Sequence, residues 1–356
     1  MKILHISRTM GQGGAEKVVY QLCKDNKNAE MYVASTGGIY EEELKNNNVK
    51  HYIIPDIDKK NPFLMIKTIL ILNNIIKKEK IDIVHSHHRM AAFYSKIISI
   101  FNKKIKRIYT AHNVFYNKKK LLKFALKGSK IVAVGNGVKN NLSDYFEITE
   151  NVEIIYNSIE SKGKLSNPND KIFENKNDKN IFIGTIGRLT EQKGIDIFIK
   201  SLSKNIKKNK NIYGFIIGDG EDKEKLKQLS RDLEIENNII FLGYRKDVFE
   251  VANKMDFLVL SSRWERFPLT PIEVFSIGKT IIASNIDGNN EIVIDQHNGL
   301  LFEKDNVDEL DAKIKYLINE KSKRIELEKN ALNTYKEKFS YDIFLKKYND
   351  LYSSIN

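Results

Sequence analysis

A single cysteine, Cys23, among 356 residues excludes an internal disulfide and a cysteine-rich zinc site, and it fits a reducing compartment. Long apolar runs are also missing. The apolar stretch after Met1-Lys2 ends at Ser7-Arg8, too short for the core of a secretory signal. The best candidate for a membrane span, Phe63 to Ile76, is broken by Lys67, Asn73 and Asn74. It falls short of the roughly 20 apolar residues that cross a bilayer. A soluble, cytoplasmic protein is therefore expected. No Walker A sequence occurs, and no recognisable nucleic-acid module interleaves the basic residues with stacking aromatics.

What is present is enough to build cores. Hydrophobic residues make up 41% of the chain and aromatics 10%, which excludes global disorder. At roughly 150 residues per domain the length suggests two domains. The formal net charge is +13, with a sequence pI near 9.3. Such a surplus favours anionic partners, whether nucleic acid, an anionic membrane face or phosphorylated substrates, without choosing among them.

Both halves alternate strands and helices. In the first half Lys2-Ile6, Met31-Ser35, Val49-Ile54, Ile81-His85, Arg107-Ala111 and Ile131-Val134 read as strands. A helix over Pro62–Lys78 is opened by Asn61-Pro62, a cap and first-turn pair. Around Asn157 to Asn180 the pattern lapses into Ser, Lys, Asn, Asp and Gly, the best linker candidate. Alternation then restarts with Ile181-Ile186, Tyr213-Ile217, Ile239-Leu242, Phe257-Leu260 and Thr280-Ala283 as strands. The expected fold class is α/β, with two doubly wound Rossmann-like domains facing across a cleft. In such sheets ligands sit where the carboxyl ends of strands turn into helices.

The motifs fall at those turns. Gly11-Gln12-Gly13-Gly14-Ala15-Glu16 follows the first strand, and its glycines would let backbone amides approach an anion at a helix start. It is not a dinucleotide fingerprint, because Glu16 stands where a third glycine belongs. A tight turn with no ligand explains it as well. Gly187-Arg188-Leu189 ends a strand, and Lys193-Gly194 opens the next helix. Two cations beside a helix start suit a diphosphate. Glu265 and Glu273 flank Arg266-Phe267-Pro268-Leu269-Thr270-Pro271-Ile272. Thr270 to Glu273 also reads as a capping box with Thr270 as N-cap, which explains Glu273 but leaves Glu265 unexplained.

In order and spacing these pieces resemble the family 4 retaining glycosyltransferases of the GT-B fold. Further matching pieces are Thr110-Ala111-His112-Asn113, Ile155-Tyr156-Asn157, Ile217-Gly218-Asp219-Gly220, Phe241-Leu242-Gly243, and Ser284 to Val293 with Gly288 and Glu291. The likeness spans nearly the whole chain. It implies an acceptor-binding domain over 1–160, a linker over 161–180 and a nucleotide-sugar domain over 181–338. Residues 339–356 would form a last helix returning to the N-terminal domain.

The resemblance also implies roles. Arg188 and Lys193 would hold the donor diphosphate and stabilise the departing nucleoside diphosphate. Glu273 would take the ribose hydroxyls and Glu265 the hydroxyls of the transferred sugar. Phe267, Pro268 and Leu269 would present amides to phosphate or sugar. Gly13, Gly14 and Gly218 would allow close approach, Tyr244 would border the base, His87 and His112 would lie on the acceptor side, and His112 would reach the donor sugar from that opposite wall. His112, with Arg188, Lys193 and Glu265, would make up the catalytic group. The implied reaction transfers a hexosyl or N-acetylhexosaminyl group with retention, from a UDP-sugar donor to a glycan, lipid-linked or surface-polymer acceptor in building a bacterial cell envelope. It has no protein nucleophile, no cofactor and no metal, because cations take the metal's part. Three positions depart from the family pattern: Arg266 and Ser158 each replace a glycine, and Gly135 replaces a serine.

Other signals rank lower. Asp56-Ile57-Asp58 matches the D-x-D of metal-dependent transferases but reads as a solvated loop. His85-Ser86-His87-His88 lacks a partner motif for zinc and reads as a strand end on the acceptor side. Cys23 reads as core, and the lone Trp264 as packed under the glutamate loop, with sugar stacking the lesser reading. Lys118 to Lys127 interleaves lysines with Leu121, Leu122, Phe124, Ala125 and Leu126, which suits a basic amphipathic helix on an anionic membrane at the inner face of the cell. A buried-face surface helix fits that segment equally well. Two alternatives stand beside the transferase: a GT-B relative that epimerises or hydrolyses nucleotide sugars, and, from charge alone, a basic nucleic-acid-binding protein.

Overall fold

A computed structural model describes the chain apart from residues 12, 25, 27, 60, 164, 169–170, 174–178 and 356. Gln12 of the first glycine loop and much of the expected linker thus lie outside the described residues. The chain divides into two compact units, Met1–Asn157 with Asp342–Asn356, and Ser158–Tyr341.

The first unit is built on seven parallel strands: β1 (Lys2–Ile6), β2 (Glu30–Ser35), β3 (Lys50–Ile53), β4 (Ile83–Ser86), β5 (Lys106–Ala111), β6 (Lys130–Ala133) and β7 (Val152–Ile154). Their order is β3-β2-β1-β4-β5-β6-β7. The order reverses between β1 and β4, so loops leaving those two strands diverge and open a crevice at their carboxyl ends. Strands β1 and β4 are buried almost throughout, as a sheet covered on both faces requires. One core joins Leu4, Ile6 and Val84 of the sheet to Leu72, Ile75 and Ile76 of the helix Pro62–Glu79 and to Tyr94 and Ile98 of the helix Arg89–Phe101. Asn61 caps the former helix as its sequence requires: its Oδ1 accepts from the amides of Phe63 at 2.9 Å and Leu64 at 3.3 Å. The last helix, Tyr341–Ile355, buries Tyr348 and Tyr352 completely and ties them to β4 and β5.

The second unit has six parallel strands: β8 (Ile181–Ile186), β9 (Ile212–Ile217), β10 (Ile239–Gly243), β11 (Phe257–Leu260), β12 (Ile281–Ser284) and β13 (Leu300–Phe302). Their order β10-β9-β8-β11-β12-β13 reverses between β8 and β11. Ile183, Ile216, Phe257 and Leu300 of the sheet pack on Phe198 and Leu202 of the helix Ile195–Lys208 and on Leu310 and Ile314 of the helix Val307–Asn319.

Strands β7 and β13 have no counterpart in the sequence reading, because three residues at a sheet margin are too few to show a period. The capping box at Thr270 is a correction. The helix Thr270–Ser276 already includes Thr270, Leu269 stands before it with helical φ and ψ, and no side chain caps the end. The amide of Glu273 instead donates to the carbonyl of Leu269 at 2.9 Å. The helix starts one residue early, so Thr270 cannot serve as N-cap.

Candidate functional site

Two groups of expected residues gather at strand ends, one in each unit. In the second unit the β8, β9 and β10 ends are stitched by backbone: Gly187 donates to the carbonyl of Ile217 at 3.0 Å, and Gly218 to that of Gly243 at 2.8 Å. Gly218 has φ +144°, and a Cβ there would stand 1.9 Å from the carbonyl oxygen of Gly187. Only glycine lets these two chains run so close. Gly194 plays the same part between the β8 and β11 loops: at φ +58°, a Cβ would stand 2.1 Å from the carbonyl oxygen of Ser261.

This stitching brings Lys193 and Glu265 together, although 72 residues separate them. Lys193 Nζ donates to Glu265 Oε1 at 2.5 Å, and Ser262 Oγ donates to the same oxygen at 2.7 Å. The two charged side chains are only 18% and 7% exposed, so the pair is desolvated and its partners are held in one geometry. Behind it, Ser284 Oγ donates to the carbonyl of Ser262 at 2.6 Å, and the buried Asn289 donates to the carbonyl of Ser284 at 3.0 Å. Arg263 fastens the loop further, donating to Asp196 at 3.0 Å, Asp305 at 2.9 Å and the carbonyl of Glu191 at 2.9 Å. Ser262, Ser284, Asn289 and Arg263 were not singled out from sequence; all four brace the glutamate loop through contacts that no local pattern announces.

Arg188 lies exposed one residue beyond Gly187. Phe267 and Pro268 are buried, Leu269 and Glu273 partly so. Tyr244 extends into solvent at the end of β10, 70% exposed. Trp264 corrects the sequence reading: at 51% exposed it does not pack under the glutamate loop.

The first unit holds the other expected residues. Gly13 and Gly14 are exposed at the start of the helix Gly14–Lys24. His87 and His112 follow β4 and β5, and with them come His5 of β1 and His85 of β4, direct partners in the sheet register. His5 Nδ1 lies 3.0 Å from His87 Nε2, and His87 Nδ1 lies 3.0 Å from His112 Nε2. His85 is held apart from this chain, with Nδ1 2.9 Å from the Tyr352 hydroxyl and Nε2 2.8 Å from Thr110 Oγ1. His5, missed from sequence, was legible only as a polar residue inside an apolar strand.

Burial pushes the imidazoles towards neutrality. It lowers His5 to about 3 and His112 to about 4, and it lowers His85 and His87 well below the usual histidine range, with neighbouring imidazoles adding to the effect. His5, His85 and His87 are close enough to share a cation. Both nitrogens of His85 are nonetheless taken by hydroxyls, so the hydrogen-bonded arrangement is the better account.

The remaining signals resolve simply. Asp56 and Asp58 both face Arg8, whose guanidinium donates to both oxygens of Asp56 at 3.0 Å and lies 3.4 Å from Asp58. That contact holds the Asp56 carboxyl below its usual range. The D-x-D is therefore an ion-paired loop. Cys23 is buried, and burial raises its thiol far above the usual range. In the helix Lys119–Leu126, Leu122, Ala125 and Leu126 face inward. Lys119 and Lys123 both pair with Glu147, at 2.7 and 2.9 Å, while Lys120, Phe124 and Lys127 stay exposed. Among the described residues no helix is long and apolar enough to cross a membrane.

Comparison with known proteins finds relatives for both halves of the chain. Residues 12–162 match the family model described as Glycosyltransferase Family 4, and residues 166–334 that described as Glycosyl transferases group 1. An uncharacterised glycosyltransferase of Methanocaldococcus jannaschii is 32% identical over 93% of this chain and 91% of its own length. The UDP-Gal:α-D-GlcNAc-diphosphoundecaprenol α-1,3-galactosyltransferase of Escherichia coli is 25% identical over 99% of this chain and 96% of its own. Among solved structures, Anabaena HepE in complex with UDP and glucose superposes with a TM-score of 0.82 at 20% identity, covering 99% of this chain and 100% of that one.

Proposed function

The chain belongs to the family 4, group 1 glycosyltransferases, and from that premise we propose that it moves a sugar with retention from a UDP-sugar to a lipid-linked or surface-polymer acceptor. Its fold is the two-domain, Rossmann-like GT-B fold. The family establishes sugar transfer; the base, the stereochemistry and the absence of a metal are the proposal. In this reading the second unit holds the donor and the first unit the acceptor.

The observation that carries the reading is the desolvated Lys193–Glu265 pair beside the Gly187–Gly218 contact. Glycine at that contact lets the β8 and β9 ends close on one another, and Arg188 and Lys193 beside it would supply the charge that a metal would otherwise bring. Departure of the nucleoside diphosphate concentrates negative charge on its terminal phosphate, and fixed cations stabilise that state more than the ground state. One oxygen of Glu265 already accepts from both Lys193 and Ser262. Such a carboxylate is a rigid acceptor for sugar hydroxyls and a poor nucleophile, which supports a front-face route in which the leaving phosphate takes the acceptor's proton. Uracil as the base rests on the UDP named for the Escherichia coli relative and for HepE.

A thermal-shift panel of UDP-, GDP- and ADP-sugars tests the donor. A ligand at one hundred times its dissociation constant stabilises by about 2.7 kcal/mol, so the matching base should stand out. Stabilisation by GDP- or ADP-sugars alone would refute the uridine assignment, and inversion at the anomeric carbon of the product would refute retention.

We further propose that the first unit docks on anionic membrane through Lys118–Lys127. The surface left for this is Lys118, Lys120, Phe124 and Lys127, since Glu147 engages Lys119 and Lys123. Each lysine near such a surface contributes about 1 kcal/mol.

A further inference from the structure

A helix packed on a sheet turns its apolar side inward and its polar side to solvent. The helix Pro62–Glu79 keeps only half of that rule. Thr68, Leu72, Ile75 and Ile76 face inward, and the last three join the core of the first unit. On the opposite face Phe63 is 83% exposed, Ile66 58% and Leu70 62%. Their spacing of three and four residues places all three on one outward stripe. Lys67, Lys77 and Lys78 lie exposed on the same face. Single exposed apolar residues are ordinary, but three along one helix mark a surface that meets something apolar.

Charge identifies the partner. Residues 62–133 contain 16 lysines and arginines and only two acids, Glu79 and Asp82. That stretch therefore carries +14, and the rest of the chain nets −1. Its three helices share one layer. The β3-to-β4, β4-to-β5 and β5-to-β6 crossovers run the same way across the sheet. Right-handed connections then put Pro62–Glu79, Arg89–Phe101 and Lys119–Leu126 on one face. Tyr94 and Ile98 of the second helix share a core with Leu72 and Ile76 of the first, and the Phe93 ring lies 6.1 Å from that of Phe124 in the third. Glu79 is buried against Tyr52 and Lys50, so it does not offset the outer charge of this layer. At the margins Asp56 and Asp58 are taken by Arg8, and Glu147 by Lys119 and Lys123. A second copy of the chain would set like charge against like. A basic layer with an apolar stripe fits an anionic bilayer.

We propose that the helix Pro62–Glu79 lies flat in the headgroup region of an anionic membrane, with Phe63, Ile66 and Leu70 inserted among the acyl chains and Lys67, Lys77 and Lys78 at the lipid phosphates. This rests on the reading that the first unit meets such a membrane, and it assigns a second, chemically different anchor. The Lys118–Lys127 segment supplies charge, while its Phe124 already contacts Phe93 and lies 5.9 Å from the Lys96 ammonium. Inserted side chains bind through buried apolar area, which salt does not screen.

A reporter chain carrying Phe63→Trp and Trp264→Phe has its one indole on the stripe. On phosphatidylglycerol vesicles its emission should shift to the blue and be quenched by lipids brominated on the acyl chains. An unshifted, unquenched indole overturns the proposal. Replacing the stripe with Phe63→Gln, Ile66→Gln and Leu70→Gln keeps good helix formers at exposed positions, so thermal unfolding should match wild type. Vesicle affinity should fall about tenfold or more, and the binding that wild type retains in high salt should vanish. Wild-type affinity of this variant at both low and high salt overturns the insertion and leaves the Lys118–Lys127 contact standing. Indifference of the wild-type chain to the vesicles at low salt overturns both. Analytical ultracentrifugation without lipid should show a monomer; a dimer that the glutamine variant abolishes would give the stripe to a second copy and overturn the proposal.

Discussion

Acid should unfold the first unit selectively, and the size of the effect follows from its histidines. The chain has seven, of which only His297 lies in the second unit. The other six, His5, His51, His85, His87, His88 and His112, are all shifted down by burial. Lowered values mean that the folded state binds fewer protons than the unfolded chain below the free histidine value of about 6.5. Their stabilising effect is therefore complete above that pH and is lost progressively as pH falls towards the folded values, about 3 for His5 and about 4 for His112. At pH 5 each fully shifted imidazole costs about 2 kcal/mol relative to pH 7.5. His5 and His112 together cost about 4 kcal/mol, and His85 and His87 add in the same direction, against a total stability of about 5–15 kcal/mol for a typical domain. Carboxylates such as Asp56, held low by Arg8, titrate mainly below this window. The assay uses the only cysteine. Cys23 is buried in the first unit, so its labelling by 4,4′-dithiodipyridine in rising urea reports opening there. Trp264, the only tryptophan, reports the second unit. Between pH 7.5 and 5 the Cys23 midpoint should fall by about 2 M for an m-value near 2 kcal/mol/M, while the Trp264 midpoint moves much less. His5→Asn should remove about 2 kcal/mol of the pH dependence. A Cys23 midpoint that stays level, or that moves in step with Trp264, would show that the cluster is not buried neutral.

Glu265→Gln and Glu273→Gln should each cut transfer by about a hundredfold or more; Glu273→Gln should change thermal unfolding little, whereas Glu265→Gln leaves Lys193 without its counter-charge and should lower the Trp264 midpoint, and wild-type turnover in both would remove the carboxylates from the donor site. Gly218→Ala should destabilise the second unit by several kcal/mol, on the order of the strain of a side chain forced to positive φ plus a backbone clash, seen as a lower Trp264 midpoint. Activity should survive EDTA; complete loss restored by manganese would put a metal at the diphosphate. Replacing Lys118, Lys120 and Lys127 with glutamate should weaken sedimentation with phosphatidylglycerol vesicles, and rising salt should imitate the change, since exposed charges are screened beyond about 8 Å at physiological ionic strength. Indifference of the wild-type chain to such vesicles at low salt would leave a soluble acceptor.

The sequence alone determined the two α/β halves, because runs such as Lys2–Ile6 and Phe257–Leu260 are long enough, and apolar enough, to be strands whatever surrounds them. It determined the cap at Asn61, which depends only on residues two and three places ahead. It also put Lys193, Glu265, His87 and His112 on the segments that follow strands, and the structure has them after β8, β11, β4 and β5. Tertiary structure decided everything that depends on distant partners. Three-residue strands such as Leu300–Phe302 exist because a neighbour offers hydrogen bonds, and their own pattern is too short to show it. Thr270 lost its capping role to a helix that begins one residue early, and Trp264 stands half exposed at the surface. Asp56 and Asp58 read from sequence as a solvated loop, and only the tertiary structure supplies their ion-pair partner Arg8, 48 residues from Asp56. The histidine chain is the clearest case: β1, β4 and β5 are far apart in sequence and adjacent only in the sheet order, so the hydrogen-bonded chain through His5, His87 and His112 is a property that no single stretch of residues contains.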